Sequence, residues 1–266
     1  MFAKRVNHYG TLLAEALRGG QRRRFSLAID LRDIPHDDAA LPVFAFQRVR
    51  GGGNPLLPDV DFFHHGWYLD EHDPLTYDEK SISACFAGAS TGQAVLSADD
   101  VRRRATPRLA LAEAFLHSTR VRFRIAAAVH CDSAETEALL RAQPWFSAPI
   151  GWGEQLRSRF LISVDGNGAT CSRVVKSLRS HGVLLKFASE HELYYFPLLE
   201  PGRHCLVVHE AADVERILDD EEARPGRHAA LPRAANAFAA QVLGAGAVLA
   251  YTRHLLDAYC AVYPTT

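Results

Sequence analysis

Lysine is scarce in this chain, methionine occurs once, and the cysteines form no close pairs. Each shortage narrows what the protein can be. Only Lys4, Lys80, Lys176 and Lys186 are lysines among 30 lysine plus arginine residues, and formal net charge is −1. No global field draws nucleic acid or an anionic membrane to such a chain. The 5 cysteines are odd in number and widely spaced, with no CxxC. That argues against a zinc ribbon and a disulfide framework, and predicts buried thiols in a reducing cytoplasm. None stands in a recognisable Cys–His setting. Long apolar runs are missing too. The longest, AFAAQVLGAGAVLA over 237–250, is too short and too rich in Ala and Gly to span a bilayer. The first twenty residues lack the apolar core of a signal peptide. The expectation is a cytoplasmic protein that can still visit the inner-membrane surface as a peripheral guest. No Gly-Lys-Ser/Thr follows a glycine loop, so there is no Walker A motif. The absence of GxGxxG after the first strand argues against a nicotinamide dehydrogenase. His64-His65 and Asp70–Asp73 lack metal-ligand spacing and read as solvated loop, so no metal site is expected. Arg102–Arg104 read as a solvated helix face.

What the chain does have is length and apolar content. With 266 residues, 48% of them hydrophobic, it can build one large domain or two small ones. A helix is expected over 9–18. Strands are expected at FSLAIDL (25–31), VFAFQRV (43–49), SISACFAG (81–88), VRFRIAAAV (121–129), the run ending at Val164, GVLLKFA (182–188) and CLVVHE (205–210). A helix over 133–143 has Ser133 as N-cap, another begins near Ala169, and AADVERILDDEEA follows the last strand. The tail from Leu231 reads as helical almost to its end. Continuous apolar strands alternating with helices predict parallel sheets covered on both faces. Two strand clusters, 25–49 and 81–210, suggest two α/β lobes.

In such sheets ligands sit beyond the carboxyl ends of strands. Three ends stand out. After the first strand come Asp30, Arg32, Asp33 and Pro35. A carboxylate there is ionised at neutral pH, since free Asp titrates near about 3.9, and could take a proton from a hydroxyl nucleophile. The plain alternative is a surface turn with an Asp–Arg pair. After SISACFAG come Gly88, Ala89, Ser90, Thr91 and Gly92, small residues that admit a ligand close to backbone N–H groups. An unliganded Gly/Ser/Thr loop reads the same way. After Val164 come Asp165, Gly166, Asn167 and Gly168, then a helix carrying Arg173. Glycines, a helix N-terminus and a guanidinium fork suit an anion, although a tight strand–helix turn needs no ligand. Trp67, Tyr68 and Trp152 could line a sugar or plug a core.

Taken in order, LRDIP, PVFAF, CFAGAST, RFLISVDGNGATCSR and LLEPGRHCLVV resemble glycosyltransferase family 90. These are the capsule-associated and lipopolysaccharide-modifying glycosyltransferases, related to protein O-glucosyltransferases. The resemblance runs from Leu12 to Tyr263. It implies two Rossmann-like lobes of GT-B type: a small, trimmed N-terminal acceptor-side lobe (1–78), a nucleotide-sugar-binding lobe (79–235) and a closing helix (236–266) that packs back. It implies inverting transfer of a glucose- or xylose-type sugar from a UDP-sugar to a hydroxyl of a glycan or lipid-linked acceptor. Asp33 falls at the family's general base. Gly88, Ser90, Thr91, Asp165, Gly166, Asn167, Gly168, Arg173 and Glu192 fall on the donor side, and Arg32 and Trp67 on the acceptor side. Pro201 and His204 match a Leu-x-Pro-x-x-His stretch. The UDP-sugar is then a co-substrate, and neither metal nor cofactor is required. The chain departs from the family at Phe86-Ala87-Gly88-Ala89, where relatives carry Phe-Arg-Gly-Ser. That loss leaves a second expectation open: a non-catalytic nucleotide-sugar-binding protein or assembly partner.

Overall fold

The computed structural model describes residues 2–18, 25–33, 42–70, 72–169 and 171–263. The strands are β1 (Ala28–Ile29), β2 (Val43–Phe44), β3 (Arg48–Val49), β4 (Ser81–Ala89), β5 (Val121–Ala127), β6 (Ser158–Ser163), β7 (Val183–Phe187), β8 (His191–Glu192) and β9 (Leu206–Val208). The α-helices are α1 (Phe2–Ala16), α2 (Asp61–His64), α3 (Ala98–Arg103), α4 (Pro107–Ala114), α5 (Ala134–Arg141), α6 (Trp152–Gln155), α7 (Cys171–Leu178), α8 (Ala211–Ala223), α9 (Ala230–Val242) and α10 (Ala245–Val262). Two compact units emerge. One gathers Met1–Asp70, Glu190–Leu198 and Ala239–Thr266, and the other Glu71–Ser189 and Leu199–Phe238. Glu190–Leu198, expected in the nucleotide-binding lobe, therefore groups with the N-terminal residues.

The second unit is a mixed α/β fold around one parallel sheet. Its five strands lie in the order β5-β4-β6-β7-β9, and every neighbouring pair runs parallel. This is a doubly wound, Rossmann-like order. The chain steps from β4 to β5 on one side, then returns past β4 to β6 and continues outward. The connections therefore reverse direction between β4 and β6. β6 and β7 are buried along their whole length. That is why FLI (160–162) and VLL (183–185) read as continuous apolar stretches and not as alternating ones. On one face Phe86, Phe123, Phe160 and Ile162 form a core with Leu109 of α4, Leu140 of α5 and Leu218 of α8. On the other face α7 packs against β6 and β7. Ser97, Thr106 and Ser133 accept bonds from the first-turn amides of α3, α4 and α5, and Pro107 sits in the first turn of α4. These side chains satisfy amide donors that a helix start leaves over.

The first unit is built differently. FSLAIDL and VFAFQRV do not form full strands. They contribute two residues each to a parallel β1–β2 pair, and Arg48–Val49 pairs antiparallel with β8. Among the described residues no second Rossmann-like sheet forms. Helix takes over instead: α1 begins at Phe2, not residue 9, and packs along α10. Arg253 Nε donates to Ala16 O at 2.7 Å, Tyr251 Oη to Leu56 O at 2.7 Å and Tyr259 Oη to Ser26 O at 2.8 Å. Long polar side chains on α10 thus satisfy the carbonyl at the end of α1 and those of Ser26 and Leu56 outside the strands. The expected single closing helix is broken at Leu243 and Gly244, with Gly244 in extended backbone as N-cap of α10. Helix is least favoured where glycine recurs, as at 244 and 246. Asp73, read as solvated, is buried and paired with Lys80 at 2.8 Å. Of the described cysteines, Cys85 and Cys205 are buried and Cys131 and Cys260 half-buried, all as free thiols.

Candidate functional site

The reversal of connections places the carboxyl ends of β4 and β6 side by side, where doubly wound sheets hold ligands. The loops after these strands touch directly. A Cβ placed on Gly166 would lie 2.2 Å from Thr91 Oγ1, so only glycine permits this approach. Gly92 N–H donates to Asn167 Oδ1 at 3.0 Å, and Asn167 Nδ2 lies 3.2 Å from His130 Nε2. Three loops, after β4, β5 and β6, are latched around one asparagine.

Arg108, from the first turn of α4, laces the two strand ends together. It donates to Ala89 O at 2.9 Å, Thr91 Oγ1 at 2.6 Å, Val164 O at 3.1 Å and Asp165 O at 3.1 Å. Its guanidinium lies 5.3 Å from the centre of the Phe86 ring. Gly88 leaves room here: a Cβ would press to 2.7 Å from the ring edge and 3.6 Å from Arg108 Nη1. Arg173 lies 4.7 Å from the centre of the same Phe86 ring and 5.7 Å from that of Trp152. It donates to Gln155 Oε1 at 2.9 Å and to Ala87 O. Burial pushes both guanidinium groups down to about 10; for Arg108 the charge of Arg173 adds to the effect and that of Asp165 opposes it. Neither pairs with a carboxylate among the described residues. Arg108 spends four of its five N–H groups on the fold, whereas Arg173 spends two. A third cation, Lys186 of β7, reaches Asp165 Oδ1 at 3.1 Å, and Ser189 donates its hydroxyl to Oδ2. Asp165 thus meets Lys186 through its carboxylate and Arg108 through its carbonyl, while the charge of Arg173 bears on Arg108. Positive charge therefore gathers at the ends of β4 and β6.

Sequence reading placed several residues here that the structure uses otherwise. The Ser90 hydroxyl bonds to the backbone of Val129. It donates to Val129 O at 3.0 Å and accepts Val129 N–H at 2.9 Å, tying β4 to β5. Gly166 N–H is spent on Gly168 O at 3.1 Å, so this amide does not face outward as a donor. The helix starts at Cys171, two residues later than expected. Asp165 faces Lys186 and Ser189 and holds the loop. His204 Nδ1 accepts the Glu200 amide at 3.0 Å and shapes the turn before β9.

The remaining predicted residues lie in the first unit. Asp33 Oδ1 accepts from Arg5 Nη2 at 2.7 Å, and its backbone carbonyl accepts from Gln47. Arg32 donates through Nε to Asp30 at 2.9 Å, the Asp–Arg pair that the sequence left open as a surface turn. Glu192 is buried and paired with Arg48 Nε at 2.7 Å. Trp67, half-buried with φ 59°, packs against Phe63 at 4.6 Å between ring centres.

Arg108 and Lys186 escaped the sequence reading, although each left a signal. Arg108 shares a helix face with Ala112, where an apolar residue is expected. Lys186 interrupts the apolar run VLLKF. A charge on a core-facing position is a request for a partner. No protein-family model matches the chain, and no curated protein matches it.

Proposed function

We propose that the chain binds the diphosphate of a UDP-linked sugar at the β4–β6 crevice and transfers the sugar, with inversion, to a hydroxyl of a glycan or lipid-linked acceptor. One observation carries this reading: Arg108 and Arg173 lie close enough at the strand ends for their charges to oppose each other, neither has a carboxylate partner among the described residues, and Arg173 keeps three N–H groups unspent. A guanidinium with open donors is the group that binds a phosphate at two points. Arg108 supplies at this end of β4 a charge that Ala87 does not. The same charges would stabilise the diphosphate as it leaves, so the reading requires no metal. In this proposal the second unit is the donor half of a GT-B-type enzyme, and Asp33 keeps the general-base role implied by the family resemblance. The parallel β1–β2 pair is the support for a reduced partner lobe.

A second reading is favoured by one contact. Asp33 Oδ1 is held by Arg5 at 2.7 Å, so this carboxylate oxygen already has a partner within the fold. A nucleotide-sugar-binding protein without turnover would keep the crevice and lose the chemistry. Calorimetry with UDP, UDP-glucose and UDP-xylose, run beside donor-hydrolysis and transfer assays, separates the two. Transfer that falls about 10²–10⁴-fold in Asp33→Asn, with donor affinity retained, supports the enzyme. Binding without turnover supports the second reading. Absence of UDP binding removes both.

A further inference from the structure

A parallel sheet is ordinarily covered on both faces, yet part of this one is polar. On β4, Ala84 and Phe86 join the main core with Ile82 packed beside them, so Ser81, Ser83 and Cys85 face the other way. On β5, Val121, Phe123 and Ile125 join the core, so Arg122 and Arg124 face that same other side, and Arg122 is the register partner of Cys85. There α7 packs on β6 and β7, while a groove of about 600 Å³ lies over the starts of β4 and β5. Its floor is a chain of hydroxyls: Ser83 donates to Ser158 at 3.0 Å, Ser81 and Ser83 lie 2.7 Å apart, and Ser81 donates to Arg157 O at 3.0 Å. Its walls carry Arg120, Arg122, Arg124 and Arg157 against one carboxylate, Glu154. Arg120 is already matched by Glu215, Asp219 and Glu222. The charges of Arg124 and Arg157 have no carboxylate partner among the described residues; Arg124 donates only to its neighbour's carbonyl, Phe123 O.

We infer that this groove holds an acidic glycan, its carboxylates on the arginines and its hydroxyls on the serine floor. Glu154 shows the fit: its carboxylate sits 2.6 Å from Arg122 Nη1, where a uronic acid carboxylate would take its place. Arg122 and Arg124, two residues apart on one strand, repeat the fork at about 7 Å. Serine hydroxyls donate and accept, as sugar hydroxyls do. No aromatic ring lines the groove, so stacked bases have no platform. This inference stands apart from the transferase reading and holds whether or not UDP binds.

The test is titration of the full chain with galacturonic acid hexamer, with maltohexaose and hexathymidylate as controls. Wild type should bind the acidic hexamer in a salt-dependent way and leave maltohexaose unbound. Arg124→Gln with Arg157→Gln should weaken binding at least about tenfold, and Glu154→Gln should tighten it several-fold. UDP titration of the same variants, with matching circular dichroism, separates loss of the groove from loss of the fold or of the crevice. No binding of the acidic hexamer, equal binding of hexathymidylate or maltohexaose, or unchanged affinity in the double variant overturns the inference. So does a concentration-dependent dimer that the double variant abolishes, since the occupant is then a second copy.

Discussion

The two ends of one sheet treat buried guanidinium groups in opposite ways. At the start of β6, Arg159 is buried and answered in full. Its Nη1 donates to Glu221 Oε1 at 2.8 Å, it lies 4.5 Å from the centre of the Tyr77 ring, and Glu221 also accepts from Gly226 N–H and the His228 ring. Burial pushes the Glu221 carboxyl up, but these bonds outweigh it and hold it below the usual carboxylate range. At the finish of β4 and β6, Arg108 and Arg173 meet only carbonyl, amide and hydroxyl oxygens. On the proposed reading, an internal acid marks a structural guanidinium and its absence marks one kept for a ligand. Arg159 has its acid inside the fold, and Arg108 and Arg173 have none among the described residues.

That contrast can be broken by substitution. Glu221→Gln strands Arg159 in the interior and should cost about 3–5 kcal/mol in urea unfolding. Arg173→Met should do the reverse. It removes an unmatched, half-buried charge, so unfolding free energy should hold or rise while UDP affinity falls by about 1.5–3 kcal/mol in calorimetry. A large stability loss in Arg173→Met would place both arginines in one structural class. Gly166→Ala drives a methyl onto Thr91 and should cost about 1–3 kcal/mol, with UDP affinity falling alongside. The smallest effect is in acid. The Glu221 carboxyl titrates lower in the folded chain than unfolded, so its stabilisation is present above about pH 4.5 and fades as pH falls through the folded value. The stability gap between wild type and Glu221→Gln should therefore shrink from pH 7 to pH 3, and a constant gap would remove Glu221 from the acid limb.

The centre of the sheet was legible because β6 and β7 are buried on both faces, which gives the continuous apolar stretches FLI and VLL. Its helix starts were legible where Ser133 capped one. The first unit was not. FSLAIDL alternates like a strand, yet only Ala28 and Ile29 find a partner, because pairing depends on what lies alongside. Motif position pointed to the loops after β4 and β6, but the bonds made there follow from partners that no pattern encodes. Ser90 looks like a ligand contact until Val129 is seen to use both sides of its hydroxyl. Arg108 looks like an ordinary first-turn residue until four oxygens are seen to converge on it.

The asparagine latch has a consequence for the molecule's ageing. Asn167 precedes Gly168, the pairing whose unhindered backbone nitrogen most readily attacks the side-chain amide and converts it to an acid. Held by Gly92 and His130, that amide is turned to other partners. Each spontaneous opening of the loops gives it back its freedom, and the carboxylate formed would plant a negative charge beside the crevice. Stored protein should gain about one dalton at this peptide, sooner where the loops open often, and the same fastening that shapes the crevice would set the chain's shelf life.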